Sequence, residues 1–333
     1  MEQSSEVVVY RVALNDSDAT QTAASTLSDS ANRAASLSQK VAALNPQGGI
    51  AVIYPDIGEP YRSVFLKIIE GIEERTNTRV ASYAVGNNFD MVTLSEELRR
   101  RDIRMVIALG RNGLKAATSL DRDIGVVAGG VINTSDTDVR GMAVHSLAPD
   151  PQLLFDRLKS IMPGAKRVFV VYDPRQNGWL IRLAQDAAKH HGLELVAQEA
   201  SDLRTATRLY QEFFTSADAK KDVLWLPQDS TTVEESSVLP MILQESWSRS
   251  LAVFSSSVGH VRRGALFSLY PNNVELGRNL ATSALSQIAA GSSLRGVVPL
   301  RSVLIAVNVR TASHLGLGIG AGQKSYDMVF PEQ

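Results

Sequence analysis

From Gly49 onward, apolar runs without polar alternation take turns with stretches whose apolar residues fall on one helical face. Runs of this kind are strands covered on both sides, the signature of a parallel sheet flanked by helices. The pattern predicts strands at 50–55, 79–85, 104–109 and 125–131, with helices at 61–75, 92–101 and 112–120 between them. It restarts after residues 139–145 with a helix at 151–161. Strands then follow at 167–172, 193–198, 222–227 and 251–255, and helices at 177–190, 203–215 and 236–249. A strand at 265–270, a long helix at 273–290 and a strand at 303–307 remain. Since they are too few for a third core, they are expected to complete the first sheet.

The two halves also repeat each other. Residues 50–56 (IAVIYPD) and 168–174 (VFVVYDP) end alike, with Tyr54 and Tyr172 at 118 positions' separation. The same offset relates Leu109 to Pro227 at the ends of two later apolar runs. The expected fold is therefore α/β, with two doubly wound parallel-sheet lobes joined by a multi-strand hinge. Lobe 1 is expected over 48–146 and 267–333, and lobe 2 over 147–266. Residues 1–47 stand apart as an N-terminal extension. They hold a β-like run at 6–14 and an amphipathic helix marked by Leu27, Ala31, Ala34, Leu37, Val41 and Leu44.

A length of 333 residues favours two domains over one. With a net charge of −1 and no dense basic block, no nucleic-acid partner is expected. No run approaches the roughly 18 apolar residues of a membrane span, and the first residues lack the basic and apolar regions of a signal peptide. The chain has no cysteine, which removes disulfides, thiolate metal sites and cysteine nucleophiles.

In a parallel α/β sheet, ligands bind beyond the carboxyl ends of the strands, where helix N-termini also point. In the first lobe this nominates Tyr54, Asp56, Gly58, Glu59, Gly110, Arg111, Asn112 and Asn133. In the second it nominates Tyr172, Asp173, Gln176, Asn177, Gln228, Asp229, Ser230, Thr231, Ser255 and Ser256, with Ser257 beside them. Asp56, Asp173 and Asp229 suit a ligand or a helix cap equally well. Arg111 opposes a helix dipole and calls for either a ligand carboxylate or a neighbouring glutamate. The tyrosines can stack on a ligand or close the sheet.

Enzyme signatures are missing. The glycine run at 316–322 follows a helix and lacks the lysine pair of a phosphate loop. His145, His190, His191, His260 and His314 have no metal-ligand spacing, and no Gly-x-Ser-x-Gly elbow presents Ser255 or Ser256 as a nucleophile. Binding is expected, with no catalysis, metal or cofactor.

Residues 50–54 (IAVIY), 103–110 (IRMVIALG) and 162–174 (MPGAKRVFVVYDP) also resemble the ABC transporter substrate-binding proteins related to the tryptophan/tyrosine-type binding proteins. Arg263, Gly264, Gly277, Gly291 and residues 304–308 (LIAVN) extend the resemblance over about 49–318. It implies a periplasmic-binding-protein type I-like fold and a periplasmic or other extracytoplasmic location, with the leader outside these residues. It also implies a small polar ligand held between lobes and an ABC permease as partner. An amino acid or related zwitterion is favoured, its carboxylate on Arg111 and its ammonium on Asp173 or Asp229. The alternative is a ligand-sensing module that acts on a membrane sensor protein. Two departures stand out: Arg111 and Asn112 replace the usual small residues, and 1–47 precede the usual start.

Overall fold

A computed structural model describes residues 49–59, 61–132, 142–290, 295–319 and 326–332. The extension expected at 1–47 lies outside the described residues. In chain order the elements begin β1 (Ile50–Pro55), α1 (Tyr61–Thr76), β2 (Ala81–Val85), α2 (Met91–Arg100), β3 (Met105–Leu109), α3 (Gly110–Ala117), β4 (Gly125–Val131) and β5 (Ala143–Pro149). There follow α4 (Pro151–Ile161), β6 (Arg167–Tyr172), α5 (Pro174–His190), β7 (Glu194–Glu199), α6 (Leu203–Ser216), β8 (Asp222–Leu226), α7 (Val238–Ser248), β9 (Ala252–Ser255) and α8 (Val258–Arg263). The last are β10 (Phe267–Pro271), α9 (Asn273–Ala290), β11 (Gly296–Leu300), β12 (Val303–Asn308), α10 (Val309–His314) and β13 (Met328–Phe330).

Two compact units result, one of Met1–Ser146 with Asn272–Val298 and the other of Leu147–Pro271 with Pro299–Gln333. The first sheet has the order β11-β5-β4-β3-β1-β2, and strands β2, β1, β3, β4 and β5 run parallel. Strands β1 and β3 are buried along their whole length, as their unbroken apolar runs require. Helix α9 covers this sheet and packs on α1 at very close range. A Cβ built on Gly71 would stand 1.9 Å from the carbonyl oxygen of Val274, and one on Gly277 would stand 2.0 Å from that of Ile68. The two missing side chains let the two backbones touch.

The second sheet has the order β13-β12-β10-β9-β8-β6-β7. Strands β7 to β10 along this order are parallel, β12 is antiparallel to β10, and β13 is parallel to β12. Its core is a run of aromatic rings. Phe155 meets Trp225 edge-on at 5.9 Å, Trp225 stacks with Phe254 at 6.3 Å, and Phe254 stacks with Phe267 at 5.1 Å. All four are fully buried, and each contributes roughly 1.5–3 kcal/mol by leaving water.

The tail corrects the expected assignment of 267–333 to the first lobe. Strands β10 and β12 pair with each other, Phe267 opposite Val307 and Leu269 opposite Ile305, and all four of these residues join the aromatic core of the second sheet. Only α9 and most of β11 belong to the first unit. Three strands and two short helices were not foreseen. Strand β5 is interrupted by His145 and Ser146, β11 carries a proline and buries only Leu300, and β13 has three residues; α8 and α10 are six residues each.

Candidate functional site

In the second unit, seven of the nominated residues form one hydrogen-bonded network at the carboxyl ends of the adjacent strands β6 and β8. Asp173 caps α5: its Oδ1 accepts the Arg175 N–H and Nε at 3.0 Å each, while Oδ2 accepts Arg175 Nη2 at 2.7 Å and Thr231 Oγ1 at 3.0 Å. The guanidinium beside it holds this carboxyl down at about 2. Asp229 is the second hub. Its Oδ2 accepts the Asp173 N–H at 2.7 Å and Asn177 Nδ2 at 2.9 Å; its Oδ1 accepts the N–H groups of Thr231 and Thr232, both at 3.0 Å. Burial pushes the Asp229 carboxyl up, and those four donors pull against it.

A carboxylate offers about four lone-pair sites. Both aspartates fill theirs with protein donors, so each serves as a cap and cross-brace. The remaining members tie in around them. Gln176 donates to Thr231 Oγ1 at 2.8 Å and accepts from Ser230, and Asn177 also donates to the Gln228 carbonyl at 3.2 Å. One group stands out: Gln228 is 4% exposed, and its side-chain Oε1 is buried with no hydrogen-bond partner. A buried acceptor left open in this way costs about 1–3 kcal/mol.

The other nominated residues of this unit are committed to structure. Tyr172 donates to Glu199 at 2.9 Å, and burial raises its hydroxyl to about 12. Ser256 Oγ receives the Trp225 indole N–H at 3.1 Å. Ser255 Oγ contacts His260 Nδ1 at 2.8 Å and the Leu226 carbonyl at 3.1 Å, and accepts the Ser257 N–H at 3.0 Å. Both members of the Ser255–His260 pair are buried, and burial depresses the imidazole to about 3. Such a pair braces a loop.

In the first unit, β1 and β3 are neighbours, so their ends lie side by side. Tyr54 is buried and lies 6.4 Å from the ring of Phe65, which gives it a packing role. Asp56, Gly58 and Glu59 are exposed in the following loop, where Glu59 accepts the Ser63 hydroxyl at 2.5 Å. Helix α3 starts directly from β3 through Gly110, whose φ of +66° puts it in the left-handed region, and no side chain caps it. Its uncapped first turn carries the exposed Arg111 and the half-buried Asn112, which donates to Asn87 at 3.3 Å. Asn133 lies outside the described residues.

The family model described as "ABC transporter substrate binding protein" matches residues 68–319. The chain belongs to that family. Solved structures similar to this substrate-binding protein share its fold at low identity. A ligand-free, open substrate-binding protein with adhesive properties, CD0873 from Clostridium difficile, has a TM-score of 0.59 and 18% identity over 84% of this chain and 99% of its own. A conserved domain protein from Vibrio cholerae reaches 0.51 and 18% over 86% and 100%. A Streptococcus pneumonia ABC domain in complex with L-Trp reaches 0.50 and 16% over 84% and 98%. Comparison with curated protein sequences gave no match.

The fold of this substrate-binding protein is thus the periplasmic-binding-protein type I-like one, with two mostly parallel sheets. Among the described residues no helix is long and apolar enough to cross a membrane, and no group of histidines and acids could hold a metal ion. Sequence reasoning missed Arg175, the partner of Asp173, and Thr232, which joins the Asp229 cap and donates to the Val171 carbonyl at 3.1 Å. The aspartate before α5 and the proline at its first position gave a signal for the cap. The side-chain bond of Thr232 has no local signal, because its acceptor, Val171, lies on another strand.

Proposed function

We propose that this chain captures a small polar solute with its strand-end loops, an amino acid or related zwitterion being favoured, and hands it to an ABC permease outside the cytoplasm. Family membership supports binding and transport as the role. The observation that carries the ligand class is the open Oε1 of Gln228, a buried acceptor beside two carboxylates that have no capacity left. An ammonium or amide N–H of the solute satisfies it. This moves the ammonium contact from Asp173 and Asp229, which hold the loop in shape, to Gln228.

The first turn of α3 is proposed to receive a carboxylate. Its N-cap, Leu109, has no side-chain acceptor to offer, and Arg111 adds positive charge to this turn, so it suits an anion. No chemical step is required of any residue.

A thermal-shift screen of the unaltered chain against amino acids, L-Trp included, and neutral sugars tests the reading. Zwitterions are expected to raise the melting temperature and sugars to leave it in place. For the best hit, Gln228→Ala is expected to weaken binding about tenfold or more, the loss of one buried hydrogen bond to a charged group. Equal binding by Gln228→Ala would rule out the ammonium contact, and a sugar as the only hit would rule out the ligand class.

A further inference from the structure

The second unit holds a cavity apart from the strand-end loops of Asp173 and Gln228. Its volume is about 510 Å³, and it is lined from α7, the start of β9, the end of α8, the length of α10 and Pro331. Leu251 and Val253 lie where β9 begins, and Asn308 ends the oppositely directed β12. The cavity therefore sits at the amino ends of the parallel strands, the opposite end from Asp173 and Gln228.

Its chemistry is one-sided. Arg262, Arg263, Arg310 and His314 line it, and among the described residues no carboxylate does. Two of the arginines have acidic neighbours: Arg262 pairs with Glu332 at 2.8 Å, and Arg263 is 4.0 Å from the carboxylate of Glu235 and donates to its carbonyl at 3.0 Å. Arg310 differs. Among the described residues no ion pair neutralises it, and it lies in the first turn of α10, where a cation opposes the helix dipole. Its guanidinium stands 5.5 Å from the centroid of the Trp247 ring.

Trp247 is 40% exposed, unusual for so large an apolar ring, yet it is held firmly. His314 stacks on it at 3.8 Å and donates from Nε2 to its carbonyl at 2.8 Å. A fixed aromatic surface thus adjoins a guanidinium with no ion pair among the described residues, inside a concavity whose size falls in the usual range of small-molecule sites.

The geometry points to a second ligand site here, one that takes a small organic anion consisting of a flat ring with a carboxylate or phosphate group. The anionic group lies on Arg310, with Arg262 and Arg263 beside it, and the ring packs along Trp247 and His314. This site is independent of the solute site at the strand carboxyl ends.

Trp247 is a built-in reporter. The full chain is titrated with two probes, adenosine monophosphate and indole-3-acetate, followed by tryptophan fluorescence and by calorimetry. At least one is expected to bind saturably, one molecule per chain at this cavity, with a change in emission. Arg310→Ala is expected to weaken that binding about tenfold or more. Trp247→Phe should remove the emission change while calorimetric binding persists, and Gln228→Ala should leave the site untouched. Failure of both probes to saturate overturns the proposal. So does unchanged affinity in Arg310→Ala, or an emission change that survives in Trp247→Phe.

Discussion

Replacing Asp229 by asparagine separates a ligand-contact role from a structural one. Each of its oxygens accepts two protein donors at 2.7–3.0 Å, the Asp173 and Asn177 groups on one and the Thr231 and Thr232 groups on the other. An asparagine side chain presents one oxygen and one amino group. Whichever way it turns, two donors face another donor. Each buried group left without a partner costs about 1–3 kcal/mol, and relief from burying a charge returns part of that, so the net loss is expected to be about 2–4 kcal/mol. Against a typical total of 5–15 kcal/mol this is a large fraction. All three tryptophans, Trp179, Trp225 and Trp247, belong to the second unit, so their fluorescence during urea unfolding reports on that unit alone. With a slope of about 1–3 kcal/mol per molar urea, the midpoint should fall by about 1–2 M. A variant within about 0.5 kcal/mol of the unaltered chain would refute the bracing role and return Asp229 to the ligand.

Two further outcomes are expected. Gly277→Ala forces apart the backbones of α1 and α9, at a cost that exceeds the roughly 1 kcal/mol gained in helix propensity. The first unit should lose about 2 kcal/mol, seen by circular dichroism while tryptophan fluorescence of the second unit is unmoved; unchanged unfolding by both probes would contradict the contact. His260 is held neutral by burial, its folded value near 3 lying below the unfolded one near 6.5. A depressed histidine destabilises as acid is added, because the unfolded chain takes up the proton first. Stability should therefore be full above about pH 6.5 and fall by roughly 1 kcal/mol per unit toward pH 3, a slope that His260→Gln should flatten.

The alternation of elements was readable because buried parallel strands leave unbroken apolar runs: the ends of β1, β4, β6 and α4 agree with their expected bounds to the residue. Which sheet the tail joined was not readable. Residues 303–307 are equally apolar whichever neighbour they pair with, and the choice lies in how Ile305 and Val307 fit beside Phe254 and Phe267, a contact far apart in sequence. The site divides similarly. The position of Asp173 and Asp229 at strand ends was legible, and their function was not, because four-donor saturation depends on backbone N–H groups that every residue shares. Gln228 was visible as a polar residue at a strand end, but only the structure leaves its acceptor open.

The chain's path between the units has a consequence for how it is made. It leaves the first unit after Ser146, comes back for Asn272–Val298, and ends in the second. Helix α9, which covers the first sheet, is among the later parts to be synthesised, and β12, which completes the aromatic core of the second, follows it. Neither unit can finish folding on a partly made chain, and no single cut releases either one whole. Until β12 has emerged, a nascent chain is left with Phe267 and, before α9, the flank of the first sheet awaiting their partners.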